Sequence, residues 1–138
     1  RNNDKFRAKV EKPVKQTFEL PQNPTPLELN QSLATCSNNI ARLSDLCAQY
    51  KANVAIKQTA LKRVTARALV KYSGAKSATL AKALAETDVD VEAAQDAVDQ
   101  ANALYLVAQG EMDGWDSQFI ALRKIVEVRK MEVHGGIG

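Results

Sequence analysis

A stripe running from Leu29 to Lys71 limits the fold of this chain more than any other feature. Leu29, Leu33, Cys36, Ile40, Leu43, Cys47, Tyr50, Val54, Lys57, Leu61, Val64, Ala68 and Lys71 are spaced alternately by four and three residues, and eleven of these thirteen are apolar or weakly so. That repeat keeps the side chains on one side of a helix; a strand would turn about half of them to its other face. Thr25 suits the N-cap, Pro26 the first helical position, and Glu28 stands three residues after the cap, the pattern of a capping box. Gly74, after Ser73, offers the stop. A straight helix over Pro26 to Ser73 would be about 70 Å long.

A second stripe has the same alternation: Ala94, Val98, Ala101, Tyr105, Ala108, Met112, Trp115, Phe119, Leu122, Val126 and Arg129. Gly110 and Gly114 weaken this second helix by about 1 kcal/mol each and allow either a bend or the close approach of another helix. Between the two, Ala78 to Glu86 reads as a short helix, and Asp88 and Asp90 offer caps for the helix that follows. Low aromatic content (5%) and only six glycines favour helices over a sandwich or barrel.

The expected fold is therefore all-α: a long antiparallel helical hairpin over residues 27–134 with a short helix at the turn. An extended arm over 1–26 precedes it, and a tail over 135–138 follows it. The arm is expected to be strand-like, because its even positions from Phe6 to Leu20 are mostly apolar and its odd ones mostly polar. Pro13 limits such a strand to an edge or a break, and an arm draped over the helices is the other reading. Pro21, Pro24 and Pro26 make a stiff connector. Leu27, Leu46, Ile56, Leu69, Leu104, Leu106, Val107, Ile120, Ile125 and Val128 fall outside the strict stripes and are expected to widen the apolar face. A two-helix hairpin seldom stands alone in water. Self-assembly into a homo-oligomer is expected, with the arm as a clasp and Trp115, Phe119, Leu122 and Val126 as assembly contacts.

The net charge of +3 hides a segregation. From Leu46 to Ala85 there are eight basic residues and no acid; from Glu86 to Leu122 there are nine acids and no base. The two halves are expected to face one another, within a chain or between chains, or the basic half meets an outside polyanion. Its densest part gives the candidate nucleic-acid contacts Lys62, Arg63, Arg67, Lys71, Tyr72 and Lys76. Lys62, Arg63 and Arg67 fall away from the stripe, Lys71 lies near it and could pair with the acidic helix, and Tyr72 could stack on a base.

Catalytic chemistry is not expected. His134 is the single histidine, and neither a Cys-x-x-Cys pair, a glycine-rich phosphate loop nor a His-Glu-x-x-His motif occurs. No cofactor and no metal site is expected. Cys36 and Cys47, eleven residues apart on one helix, would be about 16 Å apart, too far for a disulfide, so a reducing, intracellular setting is expected. No apolar run reaches the ~18 residues of a membrane span.

The segments "ALVKYSG" (Ala68–Gly74) and "ALYLVAQGEMDGWDSQFIALRKIVEVRKME" (Ala103–Glu132), a basic helix ending in Tyr-Ser-Gly and a later helix with an aromatic-aliphatic stretch, resemble the UvsY-type recombination mediators of tailed phages. The likeness covers roughly residues 30–132. It implies single-stranded DNA binding by a ring-like homo-oligomer that loads a recombinase onto strands covered by a single-strand binding protein, in the cytoplasm of a phage-infected cell. The family's basic residues before the turn correspond to the neighbourhood of Arg67, with Lys62 and Arg63 behind it. With Tyr72-Ser73-Gly74 aligned, Ala66 and Ala68 stand where the family's basic pair is expected. Two rival functions are an assembly protein, such as a virion component, and a small inhibitor that presents its acidic helix to a host protein.

Overall fold

The computed structural model describes residues 20–135, with side chains as far as 133. The strand expected in the arm therefore lies outside the described residues, apart from Leu20. Three helices follow in order: α1 (Pro26–Lys71), α2 (Ala78–Glu86) and α3 (Val89–Gly135). α1 and α3 run antiparallel along most of their length, so the molecule is the expected long hairpin, with α2 laid across its closed end. Among the described residues there is no strand, and no helix is long and apolar enough to cross a membrane.

Each helix begins where the sequence supplies a cap. The Thr25 hydroxyl accepts the Glu28 N–H at 3.2 Å, and the Glu28 carboxylate accepts the Thr25 N–H at 3.1 Å, so two otherwise unpaired donors are satisfied reciprocally. Ser77 caps α2 by accepting the Leu80 N–H at 3.1 Å. Asp88 caps α3 by accepting the Asp90 N–H at 2.9 Å, while its carbonyl accepts the Glu92 N–H. α1 ends at Lys71, before the Gly74 stop. The Tyr72 N–H still reaches the Ala68 carbonyl, but Ser73 already bonds three residues back, to Val70. α3 runs into the expected tail, to Gly135.

The seam is the one the spacing predicts. Of the thirteen α1 stripe positions only Lys71 is exposed, and every stripe position on α3 is buried or half-buried. Three clusters divide its length. At the open end Leu29, Cys36 and Leu122 are enclosed by Leu33, Trp115, Phe119, Ile125 and Val126, and Leu20 of the connector joins them. Arg129 donates to the Pro24 carbonyl and ties the connector to α3 at this end. In the middle Tyr50 and Cys47 lie on Ala108, whose small side chain lets the helices close over the tyrosine ring. At the closed end Ala68, Ala85 and Val91 bring all three helices together.

Between Tyr50 and Ala68 the α1 seam has no fully buried residue, and half-buried Lys57 occupies one of its positions. That stretch is the thinnest part of the core, and burial there contributes least to stability. Cys36 and Cys47 are both free and buried, as one-helix spacing requires. Burial pushes both thiols above their ordinary pKa, away from the reactive thiolate.

The extra apolar residues divide into two groups. Leu46, Leu104 and Ile125 flank the seam and are half-buried, as expected. Leu27, Ile56, Leu69, Leu106, Val107, Ile120 and Val128 are exposed. They do not widen the seam, because helical periodicity carries them too far around the cylinder to meet the partner helix.

Candidate nucleic-acid interface

The six candidate residues lie at the closed end of the hairpin, and the fold divides them into two sets. Lys62, Arg63, Arg67 and Lys76 are exposed. Arg63, Arg67 and Lys71 are spaced by four, so they form one row along α1 with Cβ atoms roughly 5–6 Å apart. Lys62, one residue before Arg63, is turned about 100° from it around the helix axis. Lys76 stands in the turn between α1 and α2. Antiparallel packing brings the basic half of α1 alongside the acidic first half of α3, as one of the expectations from charge required. Nevertheless, among the described residues the ion pair within 4 Å is Lys71 with Asp88, and Lys62, Arg63, Arg67 and Lys76 form none.

Lys71 and Tyr72 are committed to the turn. The Lys71 ammonium donates to Asp88 Oδ2 at 3.1 Å and the Tyr72 hydroxyl donates to the same oxygen at 2.9 Å, while Oδ1 receives the Asp90 N–H. The Asp88 side chain is 6% exposed and that of Lys71 is 63% exposed. One carboxylate therefore caps α3 and fastens it to the end of α1. The Tyr72 ring is half-buried and packs on the closed-end cluster, with the Lys71 ammonium 5.2 Å from its centre. It is part of the fold, and it is not held out as a stacking platform for a base. The ammonium keeps enough open surface to meet an anion as well.

These contacts set a pH dependence. The Tyr72 hydroxyl first, then Lys71 and the Asp90 N–H, hold the Asp88 carboxyl below its ordinary pKa. The hydrogen bond and charge of Asp88 raise that of Lys71. A depressed carboxyl stabilises the fold above its unfolded pKa of about 3.9, and that contribution is lost as pH falls through the lower native value. Urea midpoints at pH 7 and pH 3 are expected to fall further for the wild type than for Asp88→Asn, which has no charge to lose. An equal acid loss in both would show that the clasp contributes nothing.

Beside the clasp, Val64, Arg67, Ala68, Lys71, Asp88, Asp90 and Ala93 line an open groove of about 540 Å³. Asp90 shares it with Arg67, so its interior is of mixed charge. Arg67 and Lys71 of the row form one wall of this groove, while Arg63 stands outside it, so a polyanion that follows the row meets Asp88 and Asp90 only on the far wall.

The four expected assembly residues are placed in the hairpin core itself. Leu122 is 1% exposed, and Trp115, Phe119 and Val126 are packed around it against Leu29 and Cys36. The stripe that marked them as adhesive is the one that α1 covers. Among the described residues no group of three or more His, Cys, Asp or Glu side chains could hold a metal ion. No protein-family model, curated protein or solved structure matches the chain significantly.

Proposed function

We propose that this chain is a non-enzymatic, self-assembling protein that binds single-stranded DNA and mediates recombination by helping to load a recombinase. The observation that carries the reading is the state of the basic residues: Lys62, Arg63, Arg67 and Lys76 are exposed and form no ion pair among the described residues, although an acidic helix runs beside them. Exposed cations such as the neighbouring Arg63 and Arg67 contact phosphates without reading bases, and each contact releases counterions. Several subunits on one strand would multiply modest contacts into useful affinity. The recombinase, the single-strand binding protein and the phage-infected cytoplasm come from the resemblance at Ala68–Gly74 and Ala103–Glu132. Sedimentation of a labelled oligonucleotide with the protein tests the binding. The strand is expected to travel with the protein at low salt and free of it at high salt; a strand that travels free at both refutes the reading.

A second reading, a structural subunit such as a virion component, is favoured by the exposed Leu106, Val107, Ile120 and Val128. Deleting residues 1–20 would abolish assembly in that reading and only weaken it in the first.

A further inference from the structure

The face of α3 that points away from α1 has the composition of a second seam. Val107, Gly110, Gly114, Ser117, Ala121, Lys124 and Val128 follow an alternation of three and four residues, and all seven are exposed; the one charged position in the stripe is Lys124. Large apolar side chains adjoin them: Leu106 is 56% and Met131 72% exposed. A side chain built at Gly110 or Gly114 would meet nothing within 4 Å. The hairpin therefore gives no reason for either glycine, although each weakens the helix.

We propose that this face binds a second copy of itself, with the two α3 helices antiparallel and the two-fold axis near Ser117. The charges select this arrangement. Between Leu106 and Met131 the face carries one acid, Asp113, and one base, Lys124, both exposed, and among the described residues neither forms an ion pair within 4 Å. A parallel pair would set Asp113 on Asp113 and Lys124 on Lys124. The antiparallel pair brings Lys124 of one copy over Gly110 of the other, with Asp113 one turn further along. The glycine leaves space for the lysine stem, and the ammonium reaches a carboxylate. From Ala103 to Met131 the contact would run about 42 Å. A two-fold interface of this kind is self-complementary and closed, so it yields pairs of hairpins with both basic rows outside. The proposal rests on the self-assembly in the reading above and is independent of DNA binding.

The test is a charge-swap cycle followed by sedimentation across protein concentration. Gly114→Glu is expected to weaken self-association by at least about tenfold while keeping full helicity, since nothing in the hairpin occupies that space. Asp113→Lys and Lys124→Asp are each expected to weaken it, and the double swap to restore it. A wild type that stays monomeric at every concentration would overturn the proposal. Self-association that survives Gly114→Glu, or a double swap no better than the singles, would overturn it too. Oligonucleotide binding, followed in the same samples, separates the two ideas: a normal swap cycle without binding removes the DNA reading and leaves the interface.

Discussion

Leu122→Ala is expected to cost about 2–5 kcal/mol of stability. Leu122 is 1% exposed and sits where Leu29 and Cys36 of α1 meet the large side chains of α3. Truncation removes its apolar transfer free energy and leaves a space that Trp115 and Phe119, already packed on α1, can fill only in part. A hairpin has one layer of core, so no second shell of packing absorbs the loss. Ile56→Ala is the control: Ile56 is 63% exposed, and its truncation is expected to change stability by no more than about 0.5 kcal/mol. Urea unfolding of the three proteins checks the pair. Equal costs for Leu122 and Ile56 would mean that the helices do not meet where the seam places them.

The architecture was legible because the stripe is long and regular. One helix face cannot hold the four-three alternation for thirteen positions without a partner face, and α3 offered the same alternation. The capping box at Thr25 and Glu28 was equally plain, because its partners are three residues apart. The clasp at Asp88 was only half legible. Its role as a cap follows from position, whereas Tyr72 and Lys71 reach it from sixteen and seventeen residues away, a distance that only the turn closes.

The candidate site was harder for the same reason. Charge counting gathered Lys62 to Lys76 into one patch and could not tell which cations the fold would use. Lys71 and Tyr72 went to the turn, and Lys62 faces differently from Arg63. Bulk and aromaticity at Trp115, Phe119 and Leu122 signal burial without naming the partner, and within one chain that partner is α1. The outer face of α3, with small residues in place of large ones, gave a weaker signal at the sequence level.

Arg63→Ala with Arg67→Ala is expected to lower affinity for single-stranded DNA by at least about tenfold. Both residues are exposed on the row, and among the described residues neither forms an ion pair or belongs to a core cluster. Helicity and sedimentation of the free protein should therefore stay as they are. Lys71→Ala is a poorer test, because it also releases Asp88.

The most direct measurement is the salt dependence of oligonucleotide binding for the wild type beside this double variant. Each phosphate contact on a single strand contributes roughly 0.7 to the slope of log affinity against log salt. The variant slope is expected to be shallower by about 1.4 for every subunit that touches the strand. Parallel lines, or a wild type whose binding does not respond to salt, would contradict the claim that this hairpin offers Arg63 and Arg67 to DNA.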